Sequence, residues 1–124
     1  MHVMVVDDDP TTRSLLMRFL SSWGVSEVIQ AADGARALSL LNTACPALIL
    51  TDRQMPNVDG IELVRTIRSR GLKTPVVMLS GHADAPDVAE ALRAGVTRFL
   101  AKPVDLMSLR TAFRELAGAI PHAA

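Results

Sequence analysis

The chain has 124 residues, a length that suits one domain and can bury a core without disulfide or metal staples. Hydrophobic residues make up 49% and charged residues 21%, which excludes a disordered polar chain. Lys plus Arg balances Asp plus Glu at 13 each, so no basic field argues for direct nucleic-acid binding, and the lone cysteine, Cys45, excludes an internal disulfide framework.

No apolar run approaches the roughly 20 residues that span a bilayer, so no membrane role is expected. The start MHVMVVDDD has no basic n-region, long apolar h-region or small-residue cleavage site, and one cysteine suits a reducing compartment; a cytoplasmic location is expected.

Along the chain, residues 2–6 (HVMVV) read as a first strand and end in Asp7-Asp8-Asp9. Asp9-Pro10 is an N-cap followed by proline at the first helical position, which explains Asp9 structurally. Leu15, Leu16, Phe19, Leu20 and Trp23 then give the apolar stripe of a first helix. A second strand at 27–31 (EVIQA) leads to Asp33-Gly34, which opens a helix carrying Ala37, Leu38 and Leu41. Cys45 and Pro46 precede the third strand, 47–51 (ALILT), and Cys45 is expected to be a small buried or half-buried residue without a reactive role.

Asp52 follows that strand, and Asp59-Gly60 supplies turn chemistry before a third helix with Leu63, Val64 and Ile67. The fourth strand, 75–79 (PVVML), ends in Ser80-Gly81, and its helix carries Val88, Ala89 and Leu92. Gly71 and Gly95 stand where C-terminal helix glycines belong. The fifth strand, 97–101 (TRFLA), ends in Lys102-Pro103 and leads to a helix with Leu109, Phe113, Leu116 and Ile120; residues 121–124 (PHAA) read as a short tail to a domain spanning 1–120. The six methionines are read as core filler, with Met55 and Met107 partly exposed, and His2 and His122 have no plausible partners for metal binding or catalysis.

Strand and helix alternate five times, so right-handed crossovers should place helices on both faces of one parallel sheet, an α/β fold. The runs at 2–6, 47–51 and 75–79 are mostly apolar without alternation, as strands covered on both faces are. In such a sheet, functional groups gather beyond the carboxyl ends of the strands, near the topological switch point. Asp7, Asp8, Asp52, Ser80 and Lys102 all fall there, so carboxylates, a hydroxyl and an amine should converge on one crevice.

This set resembles the receiver domain of two-component response regulators. The resemblance rests on VVDDDP at 5–10, TDRQMPNVDG at 51–60, VMLSGHAD at 77–84 and FLAKP at 99–103, in order and separated by whole strand–helix units. It implies a flavodoxin-like, doubly wound (βα)5 three-layer sandwich with a five-stranded parallel sheet in order 2-1-3-4-5, as in chemotaxis receivers. It implies that Asp52 is the phospho-acceptor nucleophile and that Mg²⁺ is the cofactor, bound directly by Asp8, Asp52 and the backbone carbonyl of Gln54, and by Asp7 through water. Three carboxylates in one crevice would otherwise repel, and Mg²⁺ favours oxygen ligands that leave room for water and phosphate. Lys102, with a Lys-Pro bond typically cis in the family, would hold the phosphoryl oxygens, and Ser80 would donate its hydroxyl proton to them.

The resemblance further implies a switch through Ser80 and Phe99, with the aromatic ring moving inward and the surface of the fourth helix, fifth strand and fifth helix changing. Serine stands at 80 where threonine is commoner, and Phe99 lacks the tyrosine hydroxyl, so the switch would rest on packing. Gln54 and His82 stand at positions that tune hydrolysis of the aspartyl phosphate.

The implied phosphodonor is a histidine kinase or phosphotransfer protein, and the implied output is a protein target, with the chain a monomer or a phosphorylation-dependent dimer. It would be a signalling switch that catalyses only its own phosphotransfer and autodephosphorylation, not an enzyme acting on an external substrate. An aspartyl phosphatase would carry a second Asp two residues after the nucleophile, where Gln54 stands, and the chain has no GxxxxGK[ST] loop. A receiver acting alone is expected; the alternatives are a fragment of a larger regulator or hybrid kinase, or a phosphate-insensitive interaction module.

Overall fold

The structure, a computed structural model, describes residues 1–118. Ile120 of the expected fifth stripe, the tail at 121–124 and His122 therefore lie outside the described residues. The elements are β1 (His2–Val6), α1 (Pro10–Ser22), β2 (Glu27–Ala31), α2 (Gly34–Leu40) and β3 (Leu48–Asp52), then α3 (Gly60–Ser69), β4 (Val76–Ser80), α4 (Ala85–Ala94), β5 (Arg98–Ala101) and α5 (Leu106–Gly118).

All pairings are parallel, and the strand order is β2-β1-β3-β4-β5. This order explains the strand compositions. β1, β3 and β4 are interior and are the apolar runs, whereas β2 and β5 are the edges and carry exposed polar residues such as Glu27 and Arg98. Within each interior strand, alternate residues feed opposite cores, because successive side chains leave a strand on opposite faces. Met4, Val6, Ile49, Val76 and Met78 pack under α2, α3 and α4 with Ile61, Val64 and Ile67. Val3, Val5, Leu48, Leu50, Val77 and Leu79 pack under α1 and α5 with Leu16, Leu20, Leu109 and Phe113.

Each helix opens on an aspartate. The carboxylates of Asp9, Asp33, Asp59 and Asp84 accept from the amides of Thr11, Arg36, Glu62 and Asp87, and Asp105 accepts from the Met107 amide and the Ser108 hydroxyl. Each satisfies donors that the first helical turn leaves unpaired. At the other end, Gly95 closes α4 at φ 112°, a left-handed conformation that costs glycine little.

Four details differ from the sequence reading. β3 and β4 each begin and end one residue later than expected, so Asp52 pairs opposite Leu79 and Ser80 opposite Ala101, inside the ladder. Leu15 and Leu92 lie on the expected stripes but are 48% and 51% exposed, because each helix rests on the sheet over a narrower arc than its apolar residues cover. Cys45 is exposed, since the turn before Pro46 runs over the surface. Met55 is half-buried, in line with the expectation of partial exposure, whereas Met107 is exposed more fully than expected. Among the described residues, no helix is long and apolar enough to cross a membrane.

Candidate functional site

From β1 the chain winds outward to β2 and then back past β1 to β3, so the direction of winding reverses between β1 and β3 while every strand stays parallel. Helices leave on opposite faces at that point and open a crevice beyond the strand ends. Asp7 and Asp8 follow β1, Asp52 ends β3, Ser80 ends β4 and Lys102 follows β5. The Lys102 amide donates to the Ser80 carbonyl at 2.8 Å, which continues the β4–β5 register and fixes the lysine backbone. Lys102-Pro103 is a cis peptide.

Lys102 Nζ lies 3.1 Å from Asp52 Oδ1 and 3.7 Å from Asp7 Oδ2. Ligand oxygens from Asp7, Asp8 and Asp52 all lie within 4.8 Å of one another. Asp52 Oδ1 also accepts from the Arg53 amide at 2.9 Å, so this carboxylate is oriented by both a cation and a backbone donor. Asp7 is 2% exposed; its Oδ1 accepts from the Asp9 amide at 2.9 Å, while its buried Oδ2 has no hydrogen-bond partner. Burial is the main cause that pushes the Asp7 carboxyl above its ordinary value, and the neighbouring Asp52 and Asp8 charges push the same way.

A buried carboxylate oxygen without a donor is costly unless a cation takes it. The donor set here is all oxygen, from one buried, one nearly buried and one exposed carboxylate. A hard, small divalent cation that keeps some of its water fits this set.

Ser80 is 1% exposed, and its Oγ accepts from the His82 amide at 3.0 Å, which leaves its proton free to turn toward the crevice. The side chains of Gln54 and His82 are exposed at the rim. Phe99 sits on β5 outside this cluster, half-buried against the α2–α4 core. The structure therefore brings Asp7, Asp8, Asp52 and Lys102 together, while Phe99 packs against the core under α2, α3 and α4.

Two arginines at this site carried no signal in the sequence. Arg13 on α1 donates to the Asp7 carbonyl at 2.5 Å and, through Nε, to Gln30 Oε1 at 3.3 Å. It pins the loop that carries the acidic pair. Arg53, next to Asp52, reaches across to Asp87 and Glu90 on α4. Long cations on a helix face or after a strand are too common to single out without their partners' positions.

Comparison with known proteins agrees with this arrangement. The profile described as Response regulator receiver domain matches residues 3–114. The chain is 44% identical over 110 residues to the Regulator of RpoS of Escherichia coli K12, covering 88% of this chain and 32% of that protein. It is 36% identical over 116 residues to the Sensor protein EvgS of Escherichia coli O157:H7, covering 94% of this chain and 10% of that one. The chain thus spans about a third or less of the length of these two relatives. Among solved structures, the receiver domain of a Francisella response regulator superposes with a TM-score of 0.90 at 30% identity, covering 95% of this chain and 97% of that one. With an acidic crevice at the switch point, a lysine reaching into it and this match over nearly its whole length, the chain belongs to the response regulator receiver domain family.

Proposed function

We propose that this receiver accepts a phosphoryl group on Asp52 from a phosphohistidine on a histidine kinase or phosphotransfer protein, with Mg²⁺ in the acidic crevice. The contact of Lys102 Nζ with Asp52 Oδ1 at 3.1 Å, beside the Asp7–Asp8 pair, is the observation that carries this reading. Asp8, Asp52 and the Gln54 carbonyl would hold Mg²⁺, with Asp7 acting through water, and the cation would supply positive charge against the phosphoryl oxygens.

An Asp52 carboxylate oxygen forms the new P–O bond as the P–N bond of the donor breaks, its electron pair staying on the imidazole nitrogen. Lys102 then holds the transferred oxygens as a fixed point charge. The Ser80 hydroxyl turns its proton to the same group, and the loop that begins there follows it. Phe99 takes the space vacated, so the surface of α4, β5 and α5 changes between two pre-existing states. On that surface, a cavity of about 340 Å³ between β5 and α5 is lined by Phe99, Met107 and Thr111 and offers a protein target a place to bind. Gln54 and His82, exposed at the rim, set how readily water reaches the aspartyl phosphate.

The chain acts as a switch rather than as an enzyme with an external substrate, in the cytoplasm, as a monomer or a phosphorylation-dependent dimer. Because the chain covers only part of its relatives, an additional reading is a receiver unit of a longer regulator or hybrid kinase. Phosphorylation with a small acyl phosphate and Mg²⁺ tests the assignment. Intact-mass measurement should show a phosphoryl adduct on the wild type and none on Asp52→Asn; an adduct that persists in the variant refutes it.

A further inference from the structure

Arg53 is tied down through its backbone and committed through its side chain. Its amide donates to Asp52 Oδ1 at 2.9 Å and to the Leu79 carbonyl at 3.0 Å, and its own carbonyl accepts from the Gly60 amide at 2.7 Å. A Cβ at Gly60 would meet the Arg53 Cα at 2.9 Å, so the peptide after the phospho-acceptor has no room to shift toward α3. Only the side chain is left to respond to a change at Asp52.

That side chain, 17% exposed, ends between two carboxylates of α4: Nη1 is 3.3 Å from Asp87 Oδ1, and Nη2 is 3.4 Å from Glu90 Oε2. Asp87 and Glu90 are three residues apart and share one helix face. Nη1 is shut off from solvent and makes no well-aligned hydrogen bond, so its charge depends on these acids.

The helix they anchor has a small apolar footing, with Val88 and Ala89 only half-buried. The buried residues of α4 are Ala91 and Ala94, while Leu92, its largest aliphatic side chain, is half-exposed. By contrast, α3 buries Ile61, Leu63, Val64 and Ile67. Two alanines remove little apolar area from water, so a partly desolvated ion pair carries an unusually large share of the attachment of α4.

We infer that Arg53 is a positioning residue that clamps α4 to the phospho-acceptor strand and loosens its hold when Asp52 gains charge. The second half rests on the phospho-acceptor reading of Asp52. A phosphoryl group brings roughly −1.5 to −2 charges to the residue next to Arg53. One guanidinium cannot serve that charge and two α4 carboxylates equally, so the pull on Asp87 and Glu90 weakens and α4 shifts toward a less protected state.

Amide hydrogen exchange of residues 85–94 reads this directly. In unphosphorylated protein, Arg53→Met and the double variant Asp87→Asn, Glu90→Gln should each raise exchange across α4 about tenfold while β3 and β4 stay protected. The triple variant should exchange no faster than either, because both changes remove one interaction. Unchanged α4 exchange, or effects that add, overturns the clamp. The α4 carboxylates are less buried than Arg53, at 26% and 41% exposed, so the double variant decides the matter even if Arg53→Met fails to fold.

With a small acyl phosphate and Mg²⁺, wild-type α4 should exchange faster, and Arg53→Met should show no further rise; an equal rise in both overturns the release. If no adduct forms on Asp52 in the wild type, the phospho-acceptor reading fails and the release with it, while the unphosphorylated comparison still decides the clamp.

Discussion

Asp7 and Asp52 face the same lysine yet are held differently. Asp52 has a backbone donor and the nearer contact to Lys102, whereas one oxygen of Asp7 is buried with no donor. Burial raises the Asp7 carboxyl above its ordinary 3.8, so the folded state binds that proton more tightly than the unfolded chain does. The contribution of this group to stability is therefore greatest at low pH and is lost as pH rises from 3.8 through the higher folded value. Asp7→Asn should raise the stability of metal-free protein at neutral pH by about 1 kcal/mol, an advantage that shrinks as pH falls toward 3.8. The same change should reduce any stabilisation gained on adding Mg²⁺, since it removes the buried charge that the cation would offset beyond the 3.7 Å contact with Lys102; thermal melts across pH, with and without the metal, check both. Lys102→Met keeps the stem and removes the charge, and it should slow phosphorylation from an acyl phosphate by about 10²–10³-fold while leaving the fold intact. A time course of adduct formation measures it.

At the scale of elements, four of the five aspartate caps do two jobs at once. They satisfy the helix starts, and those of α1, α3 and α4 also set the loops that border the crevice. Asp33 accepts from the Arg36 amide and also from Asn57 Nδ2 at 3.2 Å, so it ties α2 to the loop after β3. Asp33→Ala should cost about 1–2 kcal/mol in urea denaturation, at the upper side for a cap because two partners are lost. The caps also shape the acid limb. Hydrogen bonds hold the carboxyls of Asp9, Asp84 and Asp105 below their ordinary 3.8. Their contribution is present above 3.8 and is lost as pH falls through their lower folded values, opposite in sign to Asp7. Replacing the three with Asn should flatten the decline of the melting temperature on the acid side.

For the whole molecule, the sheet divides two cores that share one set of strands. Leu50, 1% exposed in β3, belongs to the core under α1 and α5, one residue from Ile49 in the opposite core. Leu50→Ala should cost about 2–5 kcal/mol, because the central strand cannot collapse into the gap. Leu15→Ala should fall within about 0.5 kcal/mol, since that side chain is 48% exposed. Denaturant midpoints of the two variants separate these cases, which the identity of the residue, leucine in both, does not.

Much of this is legible in the chain. Local chemistry decides the elements: unbroken apolar runs for interior strands, Asp-Pro and Asp-Gly at helix starts, and glycine at helix ends all act over a few residues. Because each strand end is a local feature too, Asp7, Asp8, Asp52, Ser80 and Lys102 could be placed at one edge of the sheet before any contact was known. What tertiary structure alone decided is which side chains meet and how dry they are. The 2% exposure of Asp7, the ring of Phe99 set apart from the crevice, and Arg53 reaching Asp87 and Glu90 across more than 30 positions arise from packing distant segments. Burial and ion pairing depend on distances in space, and a pattern of period two or 3.6 carries none of those distances.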